Sequence, residues 1–350
     1  MKSLILVSLF FYLFCLSGAI AQTIIYVDIN ATGVNNGSSW ANAFPDVNSA
    51  ILAASPNDEI WVAKGVYLTT SDNDPTKCFV ITKNIRIYGG FNGTETTFSQ
   101  RNVQSYETTL SGDIGVTGDS TDNSNYIFQI LNQPGTVVID GFTISQVYSL
   151  TTLGSAVSVN NCNDVRINHC YFNGNFSNQG AAAIDAIRLS KIQINSCKFT
   201  NNNSSAGAIL AKDTCEISID SSYFDNNFAP SDGGSISSTV SKLTITNTSF
   251  DYTAPITLNS QSIIYAWTST YYDTTYYFNN CSFSGVTSSG SGLLSFNNVK
   301  KVIIQNSRFN NNKLLNGIPN ILNFYGEEIE FHKCSFQNNQ ANGSDLLSLQ

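Results

Sequence analysis

Six aromatic residues crowd one short stretch of the chain: Tyr265, Trp267, Tyr271, Tyr272, Tyr276 and Tyr277. Rings with an exposed face stack on the apolar faces of sugars, so this stretch is a candidate glycan-binding surface. Alternation along a strand would instead turn about half of the rings into a core and leave the others as a ladder along a sheet. A second stretch runs from Ser111-Gly112-Asp113 through Asp119 to Asp122-Asn123 and is rich in oxygen and glycine. Calcium favours such loops, which makes Asp113, Asp119 and Asp122 candidate calcium ligands, although a solvated turn accounts for them as well. Acid–base chemistry on a polysaccharide needs a base beside cation-holding acids, or two or three carboxylates converging on one face. The two histidines, His169 and His332, stand in polar bend positions. Asp140, Asp185 and Asp220 fall in different segments, and nothing in the sequence brings them together. There is no Cys-x-x-Cys pair for zinc, and no catalytic signature emerges.

The elements that must position these residues repeat. The segments VRINHCYFNGN (165–175), IQINSCKFTNN (192–202), ISIDSSYFDNN (217–227), LTITNTSFDYT (243–253), YYFNNCSFSGV (276–286), VIIQNSRFNNN (302–312) and IEFHKCSFQNN (329–339) share one pattern. Their anchors Phe172, Phe199, Phe224, Phe250, Phe283, Phe309 and Phe336 are separated by 27, 25, 26, 33, 26 and 27 residues. Such a period means one supersecondary unit repeated along an axis. Before each Phe, apolar and polar residues alternate, as at Val165 and Ile167, which is the period of a strand. The alternation then slips by one, and Cys170 and Phe172 are the next inward residues. The slip marks a bend that carries Asn or another small polar residue in most copies (Asn168, Asn195, Asn247, Asn279, Asn280, Asn306), and Asn tolerates left-handed backbone.

No copy holds a helical pattern, and about 26 residues suit three short strands and three turns. The spacing therefore predicts an all-β solenoid, a right-handed parallel β-helix. Asn175, Asn202, Asn227, Asn312 and Asn339 would stack in one hydrogen-bonded ladder. Cys170, Cys197, Cys281 and Cys334 share an inward place with Ser222, Thr248 and Ser307, read as a stack of buried thiols, with a Cys170–Cys197 disulfide between adjacent coils as the alternative.

The ends read differently. Lys2, the apolar run Leu4–Leu16 and Ala19-Ile20-Ala21 predict a signal peptide over 1–21, cleaved after Ala21, for a protein secreted or held at the outer cell surface. Phe14 before Cys15 argues against a lipoprotein anchor. Residues 22–57 predict a cap, with a strand at Ile24–Asp28 and a helix over 45–54 whose stripe is Phe44, Val47, Ala50, Ile51 and Ala54. The β-helix then occupies 58–350. Gly343-Ser344-Asp345-Leu346-Leu347-Ser348-Leu349 repeats the opening of an earlier coil, Gly290 to Phe296, so a further coil is expected beyond Gln350.

The bulk numbers restrict the partners. Charged residues make up 12% of the chain and the net charge is −8, with no Lys/Arg cluster. Nucleic acid and anionic membrane surfaces are therefore excluded as partners. The chain contains 42 asparagines, which take the place of charge. Recurrent Ile, Val, Leu and Phe set it apart from a disordered polar chain.

IYVDINATGVNNGSSWANAF, followed by DEIWVAKGVY, resembles the opening of secreted pectin-lyase-fold proteins common in Bacteroidetes. The later coils also resemble repeats of the chlamydial polymorphic outer-membrane proteins, through Gly207-Ala208-Ile209, Gly233-Gly234-Ser235-Ile236 and the FxxN copies at Phe172, Phe199, Phe224, Phe309 and Phe336. The resemblance implies a pectin-lyase-like β-helix whose motifs specify a coil rather than a chemistry. Three functions follow. The favoured one is a non-enzymatic, adhesive or glycan-binding protein that meets an extracellular polysaccharide or a host or cell-surface glycan and needs no cofactor apart from calcium. The others are a polysaccharide lyase or glycoside hydrolase, and a spacer for a further C-terminal module.

Overall fold

The computed structural model describes residues 22–150, 153–230, 233–252, 257–258, 262–288, 292–314, 321–340 and 347–349. The expected leader, 1–21, lies outside them. The chain winds as a parallel β-helix in which every strand pairs in parallel with its equivalents in neighbouring coils. One coil shows the plan. Ser155–Asn160 belongs to a first sheet (I), Asp164–Asn168 to a second (II) and Tyr171–Asn173 to a third (III). Among the described residues sheet III has ten strands, from Gly65–Leu68 to Ser335–Gln337. In the later coils the long strands Ile264–Asn279, Leu294–Gln305 and Leu322–His332 run through both I and II and join them into one eighteen-stranded sheet.

The Phe anchors form a continuous stack inside sheet III. Ring centroids from Phe172 to Phe336 lie 4.9, 4.6, 4.8, 4.9, 4.9 and 4.8 Å apart, with planes within 14°. These are ladder spacings, so each ring sits on the one below it by register alone. The 33-residue interval does not interrupt the stack. Phe250 still pairs with Phe283, and part of the surplus chain goes into the long strand Ile264–Asn279.

The two asparagines after each Phe have separate tasks. The first takes the left-handed turn, as at Asn201, Asn226, Asn311 and Asn338, with Gly174 and Gly285 replacing it in two coils. The second builds the buried ladder. Asn175 Nδ2 donates to Asn202 Oδ1 (3.0 Å), Asn202 to Asn227 (2.9 Å) and Asn312 to Asn339 (2.9 Å). Each amide also donates to a strand carbonyl one coil away, Asn202 to Phe172 O at 3.1 Å. Above Asn227, the buried Tyr252 hydroxyl reaches the Asn227 carbonyl at 2.9 Å. Asn202→Ala is expected to cost roughly 2–4 kcal/mol, because it strands buried partners on both sides. Exposed Asn203→Ala should cost little, and urea midpoints compare the two.

The bend matches expectation in most coils and departs from it at His169 and Lys333. Asn247, Asn280 and Asn306 are left-handed, but in other coils that place belongs to His169, Ser196, Ser221 and Lys333. Asn168 and Asn195 end the preceding strand and hydrogen-bond to each other across coils at 2.9 Å. The bend conformation is imposed by the stacked coils, so residue types without a preference for it are tolerated. The next position carries Cys, Ser or Thr for a definable reason. Its small donor reaches the carbonyl two residues back, as with Cys170 to Asn168 O (3.2 Å), Ser222 to Asp220 O (2.9 Å) and Thr248 to Thr246 O (2.8 Å). The seven described cysteines are free, and burial pushes Cys78, Cys215 and Cys281 up to about 11, which keeps these three as inert thiols.

The helix forms at Val47–Ala53. Asp46 caps its start by accepting from Ser49 N at 2.8 Å. Lys83 Nζ closes its end on the carbonyls of Leu52 (3.0 Å) and Ala54 (2.7 Å). Val47, Ala50 and Ile51 pack on the end of the core. Ile24–Val27, expected within the cap, is hydrogen-bonded into sheet II as the neighbour of Glu59–Ala63. At the other end Leu347–Leu349 pairs with Leu322–Phe324, as the repeated opening predicts.

Candidate functional site

The aromatic stretch begins on sheet I, at Tyr265 and Trp267, ends on sheet II, at Tyr276 and Tyr277, and divides by strand parity. Ile264 and Ala266 point inward, so Tyr265 and Trp267 point out. Register places Trp267 beside Asn297, and Asn297 beside Tyr325. Trp267 is 42% exposed and Tyr325 is 47% exposed. Their backbones are two ladder spacings apart, about 10 Å, close to the length of a disaccharide. Half-buried Tyr265 heads the adjoining column with Ser295 and Asn323.

The rest of the stretch contributes less. Tyr276 is fully buried, bonds Ser238 Oγ through its hydroxyl at 3.1 Å, and is pushed up to about 12 by burial. It offers no ring face to a ligand. Tyr277 points out from sheet II and is half-buried, accepting from Gln305. Tyr271 and Tyr272 lie outside the residues whose side chains are described. Tyr325 was missed because only its register reveals it: Leu322-Asn323-Phe324-Tyr325 is the counterpart of Ile264-Tyr265-Ala266-Trp267.

The acidic loop uses its carboxylates on itself. Asp113 accepts from Gly118 N at 3.0 Å, Asp119 from Thr121 N at 3.0 Å and Asp122 from Val116 N at 2.8 Å. Asp122 Oδ1 and Asn123 Oδ1 remain buried without partners. Among the described residues no group of three or more His, Cys, Asp or Glu is placed to hold a metal.

A different cluster forms where sheets II and III meet. Asp140 ends a strand of sheet II and is 7% exposed. The 92–107 loop crosses this corner and delivers Arg101, whose Nη2 lies 2.6 Å from Asp140 Oδ1. Its guanidinium sits over the rings of Tyr88, Phe91 and Phe98 at 5.5, 5.9 and 5.4 Å. Gly141 makes this approach possible, since a Cβ there would stand 1.9 Å from Arg101 Nη2. His169, from the next coil, places Nδ1 3.2 Å from the same carboxylate oxygen. It also lines a groove of about 710 Å³ with Gln104, Tyr171, Ser196 and Lys198. Lys198 Nζ lies 4.9 Å over the Tyr171 ring and 5.8 Å over that of Tyr223. A carboxylate that fixes one imidazole nitrogen leaves the other to move a proton at the groove.

His332 instead pairs with Glu330 at 2.9 Å on the open surface. There His332 and then Lys301 hold the Glu330 carboxyl down to about 2. Asp140 and Asp220 share a column of sheet II, with Asn168 and Asn195 between them. Three ladder spacings, about 14 Å, exceed the separation of a glycosidase pair. Asp185 lies apart, on sheet I.

No family model matches the chain, and no curated protein matches it significantly. Among solved structures, pectate lyase Pel9A superposes with a TM-score of 0.54 at 14% identity, covering 94% of this chain and 79% of that one. A rhamnogalacturonan lyase gives 0.51 at 12% identity, covering 93% and 89%. The surface adhesin PfbA of Streptococcus pneumoniae gives 0.37 at 11% identity over 86% and 87%. The first two likenesses establish the fold, a pectin-lyase-like right-handed parallel β-helix, and leave the chemistry to the side chains. No helix among the described residues is long and apolar enough to cross a membrane.

Proposed function

We propose that this chain is a secreted or surface-displayed β-helix that binds an extracellular polysaccharide along the outer face of sheet I without cleaving it. The observation that carries this reading is the pair of exposed rings, Trp267 and Tyr325, in one column with Asn297 between them. The parallel ladder holds the two backbone positions at a fixed spacing, so little main-chain freedom is lost on binding. The amides of Asn297 and Asn323 supply hydrogen bonds beside them. The leader read at 1–21 and the Bacteroidetes-type and chlamydial-type sequence resemblances support an extracellular setting.

The test is retention of the protein on pectin, alginate and glycosaminoglycan matrices. Trp267→Ala and Tyr325→Ala should each weaken retention on the bound polymer roughly tenfold, the worth of one stacked ring. Tyr277→Ala, on sheet II, should change little. Unaltered retention in the Trp267/Tyr325 double variant removes sheet I as the binding face. A second reading, a carbohydrate-active enzyme, is favoured by one observation, the His169–Asp140 contact at the groove. New reducing ends or unsaturated products, lost in His169→Gln, would select it. Neither retention nor cleavage would leave the spacer.

A further inference from the structure

The outer face of sheet II carries two columns that run across the same successive coils. In the first, Lys191, Glu216 and Lys242 are followed by Thr275, Lys301 and Glu328. Neighbours pair along this column, Lys191 with Glu216 at 3.0 Å and Lys301 with Glu328 at 3.1 Å. The side chains of Lys191, Glu216, Lys242 and Glu328 are still 45–61% exposed, so each has room for a second partner. The second column, two residues further along each strand, runs Gln193, Ser218, Thr244, Tyr277, Ile303 and Glu330. It divides by size. Ser218 and Thr244 are small, whereas Tyr277 and Ile303 are bulky and half-buried. A depression of about 350 Å³ accordingly lies at Gln193, Ser218 and Thr244, bordered by Lys191, Glu216 and Lys242.

Both columns are self-complementary about one point. Consider a twofold axis in the plane of the face, parallel to the strands and midway between the coils of Lys242 and Thr275. It reverses the order of the coils and keeps each column opposite its own copy. Lys191 then meets Glu328 of a second copy, Glu216 meets Lys301, and Lys242 meets Thr275. Symmetry repeats each contact, so the opposite charges pair on both sides of the axis. The same operation sets Ser218 against Ile303 and Thr244 against Tyr277, so the ridge of each copy enters the depression of the other. A slip of one coil destroys the match. In one direction it opposes Lys191 to Lys301 and Lys242 to itself. In the other it opposes Glu216 to Glu328 and Lys242 to Lys301. Copies running in the same direction would oppose Glu216 to Asp220.

We propose that sheet II is a self-association face, on which a second copy of this chain packs antiparallel in this one register. The inference does not rest on glycan binding by sheet I. Three lysines and two glutamates give the first column a charge of +1 in a chain of net charge −8, so the strip itself does not add to the repulsion between copies. At ladder spacing the paired coils extend about 25 Å along the axis. So small a face makes a weak, transient dimer, with its register fixed by charge.

The experiment is sedimentation velocity of the chain from Gln22 onward, over a concentration series up to the limit of solubility. At low salt the apparent mass should rise toward double with concentration. Near 1 M salt, where the screening length falls to about 3 Å, the dimer should weaken about tenfold or more. Glu216→Lys and Lys301→Glu should each weaken it about tenfold or more, because each turns two attractive contacts into repulsive ones. An equimolar mixture of these two variants should dimerise again, since every 216–301 contact of the mixed pair joins opposite charges. Ser218→Trp, which changes no charge, should also abolish the dimer by filling the depression. Circular dichroism of each variant checks that it is folded. A monomer at every concentration in low salt overturns the face, and so does a dimer that persists in both charge variants. Folded variants that fail to recover on mixing overturn the register.

Discussion

Phe199→Asp is expected to break the solenoid at its middle. Phe199 is fully buried, stacked 4.9 Å from Phe172 and 4.6 Å from Phe224. Removing such a ring costs about 3–5 kcal/mol, and a carboxylate in its place adds several more because no cation lies in the stack. In a solenoid each coil is held chiefly by its neighbours, so the damage spreads to the coils of Phe172 and Phe224 first. Urea unfolding followed by circular dichroism should show the variant largely unfolded without denaturant, or losing structure at far lower urea. Phe336→Ala, at a partly buried place, should cost clearly less. A Phe199→Asp midpoint equal to that of the parent chain would sink the inward assignment of the whole column.

Asp140→Ala should produce the second large effect, about 3–5 kcal/mol, by stranding a guanidinium whose side chain is 8% exposed. Arg101 keeps its bond to the Gly89 carbonyl and its ring contacts, but it loses the only anion it pairs with among the described residues. The 92–107 loop should then lift from the corner of sheets II and III. Trypsin should cleave after Arg101 in the variant and spare that bond in the parent. Asp220→Ala, in the same column but hydrogen-bonded to Thr246 and Asn247 at a more open place, should cost about 1 kcal/mol. The double variant Arg101→Met/Asp140→Leu should recover much of the loss, since the pair's value lies in mutual compensation. Equal stability of Asp140→Ala and Asp220→Ala would show that the ion pair does not pin the loop.

How far this architecture could be read from the chain alone depended on distance along it. The coil, its three strands, the inward Phe column and the second-Asn ladder were legible because each is a short-range pattern copied many times. The helix cap was legible from its apolar stripe. The assignment of the bend to Asn or another small polar residue holds at Asn247, Asn280, Asn306 and Ser196, but His169 and Lys333 adopt it equally. Repetition states where a turn falls, while the stacked neighbours decide what conformation any residue there must accept.

The candidate sites were less legible. Trp267 was found by composition, but its partner Tyr325 belongs to the coil two further on and joins its column only through register. Tyr276 looked equivalent to Tyr265, yet the two stand an odd number of positions apart along the chain and strand parity turns Tyr276 into the core. Arg101, Asp140 and His169 come from a loop outside the repeat, a strand end and a bend, and no spacing in the sequence links them. Asp185 reads as an ordinary outward polar residue, yet the fold buries it. The sequence by itself determined the coil, because strand alternation and stacking are set by near neighbours repeated at a fixed period. Only the tertiary structure decided the surface chemistry, because a site on a β-helix gathers one residue from each of several coils and depends on which turns leave it open.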